Sequence, residues 1–219
     1  MDVFRITWFT VLCAAAATAV VLPAGVGLAW VLARRRFTGH ILVETLVSLP
    51  LVMPPVATGL ILLMLFSRRG PIGGVLERIG IEVVFTWKAV VLAMAIMGLP
   101  LLVRTARAGF EQVNLRYEQV AATLGARPFR VFLTISLPLA WPSVLAGAVL
   151  AFARALGEFG ATIVVAGSIP GVTRTLAVAI YTGTETGHDA EAIGLLLVSV
   201  AIAFAALWAS NRLVERHPG

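Results

Sequence analysis

Long apolar runs recur along this chain, and they restrict its fold more than any other feature of the sequence. We count five such runs, each of about twenty or more residues, the length an α-helix needs to cross the hydrocarbon core of a bilayer. Hydrophobic residues make up 59% of the 219 positions and charged residues only 13%. Because lipid requires every backbone hydrogen bond to be made within the protein, we predict an all-α integral membrane protein with five transmembrane helices.

The predicted spans leave no room for a soluble domain, so we expect a single transmembrane domain over residues 8–211. The spans cover residues 8–33, 41–66, 84–103, 141–165 and 192–210. Two more polar connections, residues 67–82 and 168–191, separate the second span from the third and the fourth from the fifth. The first run is too long for a cleavable signal and ends in three arginines, so we predict a retained first helix.

The positions of the basic residues predict the orientation, because cytoplasmic loops carry an excess of arginine and lysine. One side receives Arg34, Arg35, Arg36, Arg104, Arg107, Arg116, Arg127, Arg130, Arg212 and Arg216. The other side receives Arg5, Arg68, Arg69, Arg78, Lys88 and Arg174. The richer side is expected to be cytoplasmic. The N-terminus is then outside and the C-terminus is cytoplasmic.

Residues 114–138, NLRYEQVAATLGARPFRVFLTISLP, form the longest stretch that is not simply apolar. Apolar residues at helical spacing predict a short helix up to Leu124, and Gly125 stands where a helix commonly ends in a left-handed residue. Pro128 suits the first turn of a second short helix, and Pro138 is expected to end it. We therefore predict a cytoplasmic pair of helices between spans three and four.

Residues 114–138 resemble the cytoplasmic coupling loop of binding-protein-dependent ABC importer permeases, and we call this stretch the coupling loop. Their pattern is Glu-Ala-Ala, three residues, Gly, nine residues, Ile-x-Leu-Pro, and its second half is matched by Gly125, Ile135, Leu137 and Pro138. The first half departs from it, because Gln119 and Val120 stand at the Glu-Ala positions. The resemblance implies that the loop fits a groove on an ATPase subunit, with contacts from Glu118, Gln119, Ala121, Ala122, Gly125, Arg127 and Pro138.

The second predicted span contains three prolines in the stretch SLPLVMPPVATG. Each interior proline removes a helix hydrogen bond and bends the helix. Broken helix is tolerated in a membrane where it faces protein or a water-filled path. Pro50, Pro54 and Pro55 therefore indicate either a kinked helix lining a transport pathway or a bend that improves packing.

The fourth predicted span contains two opposite charges, Arg154 and Glu158, which at a spacing of four can pair along one helix face. Charges inside a membrane usually face a cavity or a partner, and the neighbouring Gly157 and Gly160 would allow close approach. Together with Thr162, these residues are candidates for a transport pathway or gate. The alternative is a purely structural ion pair.

The stretch from Arg154 to Thr175, RALGEFGATIVVAGSIPGVTRT, looks like the molybdate permease branch of the same superfamily. The resemblance implies a type I importer domain that moves molybdate across the bacterial plasma (inner) membrane by alternating access. The implied partners are a second copy of the chain, two cytoplasmic ABC ATPase subunits, a periplasmic or extracytoplasmic oxyanion-binding protein and membrane lipid. Sulfate, thiosulfate or tungstate remain alternative substrates.

The sequence contains no pattern typical of catalysis, metal binding or a cofactor. Its one lysine, Lys88, lacks the glycine-rich loop that holds nucleotide phosphates, so ATP hydrolysis is expected from a partner and this chain is not expected to be an enzyme. The net charge of +6 is attributed to cytoplasmic loops, and no nucleic acid is expected. Two other classes of protein are the alternatives. One is an ion-gradient-driven carrier, which would usually show two related halves. The other is a membrane scaffold with the loop lying in the membrane interface, which would need no fixed glycine and proline.

Overall fold

A computed structural model describes residues 3–215 and is built from helices throughout this part of the chain. Arg216, used above for the orientation, lies outside the described residues. The helices are α1 Val3–Arg34, α2 His40–Val52, α3 Pro55–Phe66, α4 Gly73–Arg78, α5 Trp87–Gln112, α6 Leu115–Thr123, α7 Pro128–Val131, α8 Leu137–Leu156, α9 Gly160–Val165, α10 Leu176–Glu185 and α11 Asp189–Glu215, with a π-helical segment Phe132–Ser136 between α7 and α8.

Four stretches of the described chain are long and apolar enough to cross a membrane: α1, α5, residues 128–156 and the first part of α11. The second predicted span, by contrast, is not one kinked helix. Helices α2 and α3 meet at an angle of 113°, with Pro54 as the cap of α3 and Pro55 in its first turn. The pair makes a fifth crossing if it is counted as one broken span.

The core of the bundle is helix α5, which is the most buried of the long helices. It packs against α1 and α8, and the contact is made largely by small side chains such as Ala14, Ala93 and Ala106, all fully buried. A Cβ on Gly109 would lie 2.3 Å from that of Ser143 in α8. Small residues let membrane helices approach closely, and here they let α1 and α8 pack tightly against α5.

The fourth span begins and ends earlier than residues 141–165. A single run of helix extends from Pro128 to Leu156, so the expectation that Pro138 ends a short second helix is wrong. In the π-segment the bonding is shifted by one residue, and the N–H of Leu137 donates to the carbonyl of Phe132. Proline is tolerated in the first turn of the α-helix that follows, where its missing N–H costs little.

Helix α9 follows the end of α8 after a break of three residues, and it packs against α3. The two helices touch through glycine on both sides. A Cβ on Gly59 would lie 2.7 Å from the carbonyl oxygen of Ala161, and one on Gly160 would lie 2.7 Å from the Cβ of Pro55. The break after α2 and the break after α8 are therefore held together by one close contact.

We expect Gly59→Ala to lower the yield and thermal stability of the folded permease, because the added methyl group meets rigid backbone of α9. Overpacking of this kind typically costs about 1–3 kcal/mol. The matched control is Gly27→Ala in α1, where a Cβ would have no neighbour within 4 Å. Thermal unfolding of both variants in detergent measures the difference, and equal stabilities would contradict the close α3–α9 contact.

Candidate functional site

The coupling loop begins with a short, fully capped helix, α6. The side chain of Asn114 accepts a hydrogen bond from the N–H of Arg116 at 3.0 Å, which caps the first turn. At the other end Gly125 has φ +83°. Its N–H donates to the carbonyl of Ala122, and the N–H of Ala126 donates to that of Ala121. This bonding is the Schellman pattern, which requires a left-handed residue at Gly125, as the sequence predicts.

The outer face of the loop is both apolar and basic. Leu124 is 82% exposed, and Tyr117, Val120 and Phe129 are also exposed. Of the residues implied by the resemblance, Gln119, Ala122, Gly125 and Arg127 are exposed on the loop, and Ala121 is half-buried. Pro138 is exposed but lies in α8, outside the short helices. Exposed apolar residues grouped in this way are typical of a surface that binds another protein.

Glu118 differs from the exposed residues beside it in α6 because its side chain is only 16% exposed. Its Oε1 accepts hydrogen bonds from Arg34 Nε at 2.9 Å and from Ser136 Oγ at 2.9 Å. Arg34 also donates from Nη2 to the carbonyl of Val113 at 2.9 Å. We call these four groups the Glu118 cluster. The sequence analysis assigned neither Arg34 nor Ser136 to the site, and their separation from Glu118 along the chain gave no signal for it.

Arg154 and Glu158 form the predicted ion pair, with 2.9 Å between Nη1 and Oε2. They do not share one helix, because α8 ends at Leu156 and Glu158 lies in the break before α9. The other carboxylate oxygen of Glu158 accepts a hydrogen bond from the N–H of Ala161 at 2.7 Å. Glu158 is 1% exposed and Arg154 is 27% exposed. The carboxylate therefore joins the end of α8 to the first turn of α9.

The remaining pathway candidates lie around the same two breaks. Gly160 is buried against α3, whereas Gly157 is exposed and a Cβ there would meet only the carbonyl of Arg154, at 4.0 Å. The hydroxyl groups of Thr58 and Thr162 are buried without a hydrogen-bond partner in the described chain. Of the three prolines, Pro50 is half-buried inside α2, and Pro54 and Pro55 are exposed at the turn into α3.

A bundle of membrane-crossing helices that carries an exposed helical loop and two broken helices defines a polytopic membrane protein. The chain belongs to the family of binding-protein-dependent transport system inner membrane components, whose model matches residues 22–216. It is therefore a multi-pass protein of the bacterial inner membrane, as the sequence analysis predicts.

Individual relatives are consistent with this family. The chain is 47% identical over 196 residues to the molybdenum transport system permease protein ModB of Escherichia coli K12, covering 89% of this chain and 86% of that one. It is 36% identical over 192 residues to the sulfate transport system permease protein CysT of the same organism, covering 88% and 69%. Its fold is similar to a bacterial ABC transporter involved in alginate import, with TM-score 0.74, 16% identity and coverage of 100% and 81%.

Proposed function

We propose that this chain is the permease subunit of an ATP-driven importer that carries molybdate inward. The observation that carries the proposal is the comparison within one organism, since the molybdenum permease of Escherichia coli is 47% identical and the sulfate permease only 36% over nearly the same length. Tungstate is not distinguished from molybdate, because the oxyanion-binding protein is expected to select between them.

Uptake by the whole assembly tests the proposal. The permease is reconstituted in vesicles with the ATPase and the binding protein of the same organism, and uptake of molybdate, tungstate and sulfate is measured. We expect molybdate uptake that requires ATP. Uptake of sulfate alone would favour the sulfate branch, and uptake driven by an ion gradient without ATP would favour a secondary carrier.

The coupling loop is proposed to bind a cytoplasmic ATPase, which hydrolyses ATP for the chain. The exposed apolar residues Tyr117, Leu124 and Phe129 supply a hydrophobic contact, and Arg127 beside them is also exposed. Gly125 keeps this surface compact, because the turn there carries no side chain. Two copies of the permease would present two such loops, one for each of two ATPase subunits.

Five crossings are proposed, with the coupling loop in the cytoplasm. Arg34 at the end of α1 contacts Val113 just after the end of α5, so both helices finish on the same side. Helix α5 has 26 residues and is about 39 Å long, so its first residue lies on the opposite side. The chain from α2 to the start of α5 must therefore cross the membrane once, and the broken pair α2–α3 supplies that crossing.

Single cysteines test this orientation. The one native cysteine, Cys13, is buried and is replaced by alanine. In that background we expect Ile79→Cys to react with a membrane-impermeant maleimide added to intact spheroplasts, because the exposed Ile79 follows the broken pair. Leu124→Cys is expected to react only after permeabilisation. Labelling of both from the same side would contradict the five-span arrangement.

Arg154, Glu158, Gly160 and Thr162 are proposed to form a gate beside the transport pathway, with Pro54 and Pro55 opposite them. Two observations support this role. The breaks in the helices meet at a contact between α3 and α9, and a partly exposed guanidinium lies next to it. A positive group at this place suits an oxyanion, and glycine on both sides of the contact lets α3 and α9 approach closely.

A further inference from the structure

We propose that Glu118 is a positioning residue that transmits movement of the coupling loop to the first and fourth spans, and not a residue that contacts the ATPase. This inference rests on the proposed function of the loop. It assigns to Glu118, Arg34 and Ser136 a common role, in which the carboxylate fastens α6 to the ends of two transmembrane helices at once.

The direction of the Glu118 side chain is the first argument. Exposed neighbours such as Gln119 and Leu124 cover the outer face of the loop, whereas the carboxylate of Glu118 points into the bundle and is bonded to a guanidinium that is itself only 8% exposed. Ionised donors and acceptors form the stronger hydrogen bonds. A carboxylate already held in this way is not presented to a docking protein.

The second argument is that the Glu118 cluster joins four different parts of the chain. Arg34 is the last residue of α1, Val113 is the C-cap of α5, Glu118 lies in α6, and Ser136 lies in the π-segment. Arg34 reaches two of these parts through two separate nitrogen atoms. A displacement of α6 is therefore delivered to α1, α5 and the base of the fourth span together.

The π-segment supplies the third argument, because it turns Ser136 toward Glu118. Serine in an α-helix usually bonds back to the carbonyl four residues earlier, but here its fully buried hydroxyl donates to the carboxylate. Phe132 of the same segment packs edge-on against Trp30 of α1, with ring centres 5.2 Å apart, and lies 6.1 Å from Phe110 of α5. These aromatic contacts therefore join the π-segment to α1 and α5 in addition to the polar contacts of the Glu118 cluster.

The experiment compares uptake per ATP hydrolysed for Glu118→Ala, Arg34→Met and the double variant, in vesicles with the ATPase and the loaded binding protein. Each single variant is expected to lower this coupling ratio about tenfold, within the range of typical coupling energies, while basal ATP hydrolysis by the assembled complex is retained. The double variant is expected to lose no more than either single one, since both remove the same link.

Two further variants keep the test decisive. Ser136→Ala removes a single hydroxyl group and is expected to reduce the coupling ratio in the same direction but by less, so it reports on the cluster even where Glu118→Ala fails to assemble. Arg107→Met is the matched control. Arg107 likewise binds two groups, the carboxylates of Glu44 in α2 and Glu111 in α5, neither of which belongs to α6, and wild-type coupling is expected.

The outcomes separate this inference from the proposed function. Wild-type coupling in Glu118→Ala or in Ser136→Ala overturns the role of the cluster, even if Gly125→Val loses coupling and the loop is thereby confirmed as the ATPase contact. Loss of ATPase binding in Glu118→Gln, measured by co-purification, also overturns it, because the carboxylate would then be a docking contact. If Gly125→Val keeps full coupling, it is the proposed function of the loop that fails.

Discussion

Replacing Gly125 by valine is expected to leave the permease inserted in the membrane and assembled as a dimer, but to abolish ATP-dependent uptake. Gly125 has φ +83°, a conformation that costs a residue with a side chain about 1–2 kcal/mol. Apart from the two neighbouring residues of the chain, no atom lies within 4 Å of the position where a Cβ would be, so the side chain enters open space. The substitution therefore strains the backbone of the turn and adds bulk to the surface that a partner protein would contact.

The measurement is uptake together with ATP hydrolysis stimulated by the loaded binding protein. Both are expected to fall to background in Gly125→Val and less severely in Gly125→Ala, which adds less bulk to the surface. Gly39→Val is the matched control, since Gly39 also has positive φ and open space around it but caps α2. Equal losses in Gly39→Val and Gly125→Val would mean that backbone strain alone, and not loss of the ATPase contact, explains the result.

Replacing Arg154 by methionine is expected to destabilise the permease more than any other single change at the break after α8. The substitution leaves the carboxylate of Glu158, only 1% exposed, without its positive partner. Removing one member of a buried ion pair typically costs about 3–5 kcal/mol. The double variant Arg154→Met with Glu158→Gln is expected to recover much of this loss, because glutamine is neutral and still accepts the hydrogen bond from Ala161.

Thermal unfolding and the yield of folded permease in detergent measure these effects. Arg68→Met serves as the control for an exposed arginine that bridges two carboxylates, those of Glu77 and Glu82, and about 0–1 kcal/mol is expected there. If the stability losses of Arg154→Met and Glu158→Gln simply add in the double variant, the two side chains are not energetically coupled. A stable double variant that no longer transports molybdate would support the gate over a purely structural pair.

The approximate place of most spans follows from the sequence, because an apolar run must be long enough to cross the bilayer. The described part of the chain has four such helices, or five crossings if the bent pair α2–α3 is counted as one span. The left-handed turn at Gly125 is also predictable, because a glycine directly after a segment with helical apolar spacing commonly ends that helix in the left-handed conformation. The ion pair between Arg154 and Glu158 could be predicted for a similar reason, as two charges four residues apart in an apolar stretch have few other partners.

Other features depend on contacts between distant parts of the chain and could not be predicted. The prolines at 54 and 55 indicate a bend, but neither its angle of 113° nor the glycine contact between α3 and α9 has a local signal in the sequence. The sequence of residues 132–136 predicts ordinary α-helix. No residue type there indicates the π-segment, after which the helix continues through Pro138. Glu118 and Arg34 are 84 residues apart, and no local pattern relates them.

The π-segment has one further consequence, which concerns insertions and deletions. A π-turn behaves as one residue added to an α-helix, so deleting one residue between Phe132 and Ser136 would restore regular helix. Because the extra residue is taken up within a single turn, the helix beyond it would keep its facing relative to the coupling loop. Deleting one residue from the regular helix between Leu137 and Arg154 would instead rotate everything beyond the deletion by about 100°, and Arg154 would face different neighbours although no side chain had been replaced. We therefore expect a one-residue deletion to be tolerated in the π-segment and not in α8.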